Sequence, residues 1–229
     1  MSILTLLQAR MTSSRLPGKV LMPVLGEPMI GRQIERLRRA ECLGRLVTVT
    51  STDPTDDAIV DYCQTINCPT FRGSLHDVLG RYAAALAAFG PADHVVRLTA
   101  DCPLADWTVI DEVISLHLKS GSDYTSNTVD RSFPKGLDVE IFRAEHLPVI
   151  AAATADPYDR EHVTPFFYRN PDRFRIAQLV RLKRHDEIRW TVDTPDDFAF
   201  TTAVYEALYP TRPEFDSDDI WTVEQTLRW

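Results

Sequence analysis

The sequence has no CxxC pair and four cysteines in all, Cys42, Cys63, Cys68 and Cys102, among 229 residues. With no His pair near them, neither a zinc site nor a disulfide framework is favoured, and reduced thiols used mainly in packing are expected. No apolar run approaches the roughly eighteen residues of a membrane span, and the first residues lack the cationic start and long apolar segment of a secretory leader. A cytoplasmic protein without a membrane partner is expected. Positive charge is also in short supply: 25 Lys and Arg stand against 33 Asp and Glu, a formal net charge of −8. Such a surface repels nucleic acid and anionic lipid, so any anionic ligand must be drawn in by local cations. Neither standard phosphate loop, GxxxxGK[ST] or GxGxxG, occurs.

What is present is an ordinary globular balance, 44% hydrophobic and 25% charged residues, in a chain long enough for one large core. The stretch LTLLQARMTSSRLPGK from Leu4 to Lys19 reads as a buried strand feeding a polar loop punctuated by Pro17 and Gly18. That loop gathers Arg10, Ser13, Ser14, Arg15 and Lys19, a set of cations and small hydroxyl residues suited to a polyphosphate. A nucleoside triphosphate is one reading of it; a solvated surface turn is the other.

Beyond the loop, apolar spacing predicts a helix over 29–39, a strand over 46–50, a helix opened by Pro54 and running to Tyr62, and a strand over 69–72. An Ala-rich helix over 75–89 and a strand over 94–99 complete an alternation that argues for a parallel sheet with helices on both faces. The second half is less regular. Strands are expected over 124–127, 137–142, 175–182 and 188–192, and helices over 158–168, 196–209 and 217–228. The whole is read as a single doubly wound α/β domain, 1–229, with a smaller α+β excursion near residues 125–170.

In open α/β sheets ligands sit outside the carboxyl ends of the strands. Asp101 closes VVRLTAD and Asp193 closes IRWTVD. Two aspartates facing a basic loop are what a hard cation bridging nucleotide phosphates requires, although Asp193, before Thr194 and Pro195, also reads as a helix cap. Asp77 and Arg81, four apart, read as a surface ion pair.

The stretches LLQARMTSSRLPGKVLMPVLGEPMI, RLTADCPL, DYTSN, FPKGLDVEIF, REHVTPFFY and RWTVDTPDDFAF, in that order, resemble the cytidylyltransferases of the CMP-sugar synthetase type. The spore-coat polysaccharide group is the nearest match. The resemblance implies a Rossmann-like nucleotidyltransferase fold, CTP as donor, Mg²⁺ as cofactor and a sugar or sugar-acid acceptor, nonulosonate- or KDO-like. Carried over by position, Arg10 and Lys19 hold the triphosphate with Arg15 as helper, and Asp101 and Asp193 bind the metal. The chemistry implied is attack by an acceptor oxygen on the α-phosphate with loss of pyrophosphate, driven by positioning and electrostatics. The loop Thr12-Ser13-Ser14-Arg15 departs from the Gly-Ser-Lys-Gly-like turn of sialic acid synthetases, which puts the acceptor in doubt more than the chemistry.

The same resemblance brings Arg72 and Ser74 toward the base or ribose, against an ordinary turn with Ser74 as a cap. It brings Asn127, Lys135, Asp138 and Glu140 to the acceptor. Asp138 and Glu140 share one strand face and could orient sugar hydroxyls or assist deprotonation, or form a solvated face. Arg160 suits an acceptor carboxylate or phosphate, and His162 is a binding candidate. This segment, with Phe166, Phe167 and Tyr168, could instead serve a homodimer interface or the core. Two rival functions remain: a glycosyltransferase, disfavoured because Asp101-Cys102-Pro103 lacks an Asp-x-Asp motif, and a non-catalytic nucleotide-binding protein, disfavoured by Arg10, Lys19, Asp101 and Asp193 occurring together.

Overall fold

The computed structural model describes residues 1–227. It is organised on a seven-stranded sheet. Strand β1 (Ile3–Gln8) leads through the basic loop and the small hairpin β2 (Pro23–Val24) and β3 (Glu27–Pro28) into helix α1 (Met29–Leu37). Then follow β4 (Arg45–Ser51), α2 (Asp57–Thr65), β5 (Thr70–Gly73), α3 (Val78–Phe89), β6 (His94–Thr99) and α4 (Trp107–Ser120). The second half holds β7 (Tyr124–Ser126), β8 (Glu140–Arg143), α5 (His146–Ala153), α6 (Pro157–His162), α7 (Pro165–Tyr168), β9 (Ile176–Gln178), α8 (Pro195–Leu208) and α9 (Ser217–Glu224).

The sheet order is β5-β4-β1-β6-β8-β7-β9. Strands β5, β4, β1 and β6 are parallel; β8 runs antiparallel to both its neighbours, and β9 pairs parallel with β7. A mostly parallel sheet buried on both faces explains why the early strands read as continuous apolar runs. Leu4 and Leu6 of β1 enter the core under α3 and α5, whereas Leu7 enters the opposite core with α1, α4 and α8. The strands β7 and β8 of the less regular half thus sit inside the main sheet.

From α4 onward single-chain periodicity fails in places. Helix α4 was not anticipated, although Val109, Ile110, Val113 and Ile114 line its buried face, and α5 was likewise unforeseen. The helix expected over 158–168 is broken in two at Val163, whose φ of 72° closes a γ-turn with the Thr164 N–H donating to the His162 carbonyl at 2.8 Å. The strand expected over 188–192 reduces to one bridge, Lys135 to Arg189. Gly136 permits that contact: its φ is +112°, and a Cβ there would lie 2.8 Å from the Trp190 carbonyl carbon. The last helix ends at Glu224, and residue 228 of its expected range lies outside the described residues.

His94, His117 and Thr125 form a buried chain between β6, α4 and β7, with ring nitrogens 3.0 Å apart and His117 Nδ1 2.9 Å from the Thr125 hydroxyl. Burial, with His94 beside it, pushes His117 down to about 4 from 6.5. The unfolded chain therefore binds the extra proton first, so this contribution to stability is complete above about 6.5 and is lost as pH falls toward 4. Urea unfolding at pH 7 and pH 5 is expected to show a drop in stability that is smaller in His117→Asn than in the wild type. Equal drops in the two proteins would contradict this.

Candidate active site

The neighbouring strands β1 and β6 end side by side, which brings the basic loop against Ala100-Asp101 at the carboxyl edge of the sheet. The loop is folded on the Met11 peptide. Its carbonyl accepts from the N–H groups of Ser13 and Gly18, both at 2.9 Å, and Gly18 adopts φ +73° to begin the short helical turn that carries Lys19. The segment carrying Asp193 is tied to the same edge by the Val192 N–H, which donates to the Asp101 carbonyl at 2.8 Å. Three parts of the chain far apart in sequence thus meet in one cleft of about 310 Å³. It is lined by Gln8, Arg10, Ser13, Ser14, Arg15, Lys19, Asp101, His162 and Asp193 among others.

Lys19 is the centre of this arrangement. The residue is 7% exposed, and its ammonium donates to the Val192 carbonyl at 2.6 Å and to Asp193 Oδ1 at 2.9 Å, with Asp101 Oδ2 at 3.8 Å. A buried ammonium needs such acceptors, because an unpaired charge away from water is costly. Asp193 Oδ2 lies 3.0 Å from Arg15 and 3.2 Å from Arg189. Asp193 is free to do this because it is not the cap of α8. Thr194 is, in a reciprocal capping box with Asp197. Asp101 is the less encumbered carboxylate, with Oδ1 facing, among the described residues, only the Cys102 thiol at 3.5 Å. Burial raises that thiol well above its ordinary value, so Cys102 stays neutral.

A second cavity, of about 470 Å³, adjoins the cleft, and His162 lines both. Asp138 and Glu140 face it together, as their spacing predicts, along with Arg97, Arg131, Tyr158 and Tyr168. Both carboxylates are ion-paired there. Arg131 binds Asp138 through both its terminal nitrogens, at 2.5 and 2.8 Å. Glu140 pairs with Arg97 and accepts from the Tyr124 hydroxyl at 2.7 Å and the Thr164 hydroxyl at 2.5 Å. Burial alone would lower Arg97, but Glu140 and Tyr82 hold it above its ordinary value. Arg97 and Arg131 were not singled out from the sequence; the Arg97 ion pair joins residues 43 apart, and the Arg131 pair closes back on Asp138, seven residues on, across an irregular loop.

The remaining sequence candidates lie outside the lining of both cavities. Arg72 donates to the Ser51 and Asp53 carbonyls and pairs with Asp57. The Ser74 hydroxyl accepts from the Asp77 N–H. Asn127 is fully buried and clasps Leu137 and Val139 through both ends of its amide. Lys135 is exposed, and Arg160 bonds the Ala151 carbonyl and Asp77. Asp77, in turn, caps α3 and does not pair with Arg81 on the surface. Arg81 is instead buried, donating to the Ser74 carbonyl at 2.8 Å. Phe167 is core, stacked on Tyr124 at 5.2 Å.

Comparison with known proteins places this geometry in a family. Residues 4–212 match the cytidylyltransferase family model. The spore coat polysaccharide biosynthesis protein SpsF of Bacillus subtilis is 33% identical over 96% of this chain and 93% of its own. The 3-deoxy-manno-octulosonate cytidylyltransferase of Syntrophobacter fumaroxidans is 30% identical over 82% and 84%. The solved structure of a cytidylyltransferase from Leptospira borgpetersenii superposes with a TM-score of 0.93, covering 99% of this chain and 94% of that one at 30% identity. The chain belongs to the cytidylyltransferase family of nucleotidyltransferases. No helix among the described residues is long and apolar enough to cross a membrane.

Glu140→Ala is expected to destabilise the fold by about 3 kcal/mol, because it removes the buried carboxylate that compensates the Arg97 guanidinium, whose side chain is only 14% exposed. Urea unfolding measures it, and a loss below about 1 kcal/mol, the range of an exposed pair, would contradict a buried charge pair here.

Proposed function

We propose that this protein transfers CMP from CTP to a sugar or sugar-acid acceptor, releasing pyrophosphate, in the synthesis of a surface polysaccharide. The observation that carries the reading is the pair of adjoining cavities: a cationic cleft beside the loop of Arg10, Arg15 and Lys19, and a polar pocket reached across His162. The triphosphate belongs in the first. Ser13 and Ser14 offer hydroxyls, Arg10 is exposed in the cleft, and Lys19 opposes charge building on the departing pyrophosphate. The acceptor belongs in the second, where Asp138 and Glu140 accept from hydroxyls and Arg97 and Arg131 donate. Its attacking oxygen would then meet the α-phosphate beside His162. The named relatives support both the donor and the acceptor class.

Asp101 and Asp193 fit Mg²⁺ as a partial donor set. Among the described residues no group of three or more His, Cys, Asp or Glu side chains converges to hold a metal. A hard divalent ion commonly takes one or two carboxylates plus phosphate oxygens, so the site is complete only with nucleotide bound. That the two carboxylates already flank an ammonium, Lys19, agrees with a place built for positive charge. Bound Mg²⁺ would neutralise phosphate charge. A homodimer is the proposed assembly.

Thermal unfolding with CTP, UTP, GTP and ATP, each with and without Mg²⁺, tests the donor. A ligand at 100 times its Kd adds about 2.7 kcal/mol of stability. A Mg²⁺-dependent shift with CTP is expected, followed by pyrophosphate release with a sugar acid; a shift confined to another triphosphate would overturn the donor. Lys19→Ala is expected to lower kcat about 10²–10³-fold, the usual effect of removing one preorganised charge. Rates within a few-fold of wild type would remove Lys19 from the chemistry.

A further inference from the structure

Asp56 lies between β4 and α2, 0% exposed, and neither cavity includes it. A carboxylate so deeply buried must be compensated, and this one accepts four hydrogen bonds. Three converge on Oδ2: the Thr50 hydroxyl at 2.8 Å, the Ser51 N–H at 2.9 Å and the Ser51 hydroxyl at 2.5 Å, all from the end of β4. The fourth is different. Oδ1 accepts from the backbone N–H of Met11, 45 residues earlier, at 2.7 Å.

Met11 is the residue on which the basic loop folds, since its carbonyl receives Ser13 and Gly18. The Met11 residue is therefore fixed through both the peptide units that flank its Cα, by the loop's own N–H groups at its carbonyl oxygen and by Asp56 at its nitrogen. Arg10 precedes that residue directly, and Ser13, Ser14 and Arg15 sit within the turn it closes. A charged acceptor makes a shorter and stronger bond to a backbone N–H than a neutral one. The three donors on Oδ2 in turn fix the carboxylate to β4, a strand of the sheet.

We infer that Asp56 is a positioning residue for the triphosphate loop, holding Arg10 and the Ser13–Arg15 turn in the geometry that receives the nucleotide. The inference rests on the triphosphate reading of the cleft. It assigns Asp56 no contact with substrate. Nucleotide affinity is then set partly by a residue on the far side of the loop, through preorganisation: a loop already in place loses less freedom when ligand binds.

The test is Asp56→Asn, which keeps the size but places an amide N–H₂ against either the Met11 N–H or the donors of β4. The KM for CTP is expected to rise about tenfold with kcat within about threefold, the pattern of lost binding. The control is Thr50→Val, which removes one donor to Oδ2 and leaves the Met11 bond. It is expected to lower the thermal midpoint while the KM for CTP stays within about twofold of wild type. An unchanged KM in Asp56→Asn, or an equal rise in Thr50→Val, overturns the inference. Amide exchange on the wild-type protein without nucleotide tests the anchor independently, even should Asp56→Asn fail to fold: the Met11 N–H is expected to be the most protected of residues 10–15, and fast exchange there overturns the inference. If the wild type binds no triphosphate, the triphosphate reading falls, and Met11 exchange alone decides whether Asp56 anchors the loop.

Discussion

A buried ammonium constrains everything around it. Lys19 has its donors taken by a carbonyl and a carboxylate from the segment before α8, and it faces a second carboxylate at the end of β6. These bonds require the first loop, the β6 terminus and the approach to α8 to converge within a few ångströms. The sheet order satisfies that requirement by placing β1 against β6, and the Val192-to-Asp101 backbone bond completes it. The cleft is thus a consequence of satisfying one charge as much as of any loop's own preference.

The same logic explains how an acidic protein keeps an anion site. A net charge of −8 disfavours phosphate over most of the surface, so attraction must be short-ranged. Arg10, Arg15 and Lys19 gather on one loop, and Asp193 opposes two of them. In the adjoining cavity the guanidiniums are each matched by a carboxylate, which leaves a region rich in directional donors and acceptors and poor in net charge. One cavity is organised by charge, the other by hydrogen-bond direction.

Local signals in the sequence were enough for the parallel strands β1, β4, β5 and β6 and the helices between them. The apolar run of β1, the basic loop and Asp101 after β6 are each written within a few consecutive residues, and the alternation of strand and helix follows from period alone. The Asp193 cap reading failed because Thr194 and Asp197 form the box, a Thr-x-x-Asp spacing that was itself on view. Arg81 read as a surface partner of Asp77 because i,i+4 spacing carries no information on burial. Arg97 escaped notice since an ion pair across strands has no local signature, and Arg131 since its partner Asp138 lies seven residues on in a stretch without regular period. Asn127, polar and the last residue of a predicted strand, looks like a ligand group until its amide is seen to close on Leu137 and Val139. The helix over 158–168 was lost to a backbone torsion at Val163 that a β-branched residue rarely adopts.

Strand β8 sets a limit on how such a pocket can diversify. Glu140 stands opposite Arg97 on one neighbour and Ser126 on the other, and Phe142 lies on its face while Ile141 belongs to the opposite core. Inserting or deleting one residue within that strand would turn the carboxylate out of the cavity and exchange the two cores' side chains. Variation in this half can therefore proceed by replacing side chains at constant length, while changes in length are confined to the turns that flank it.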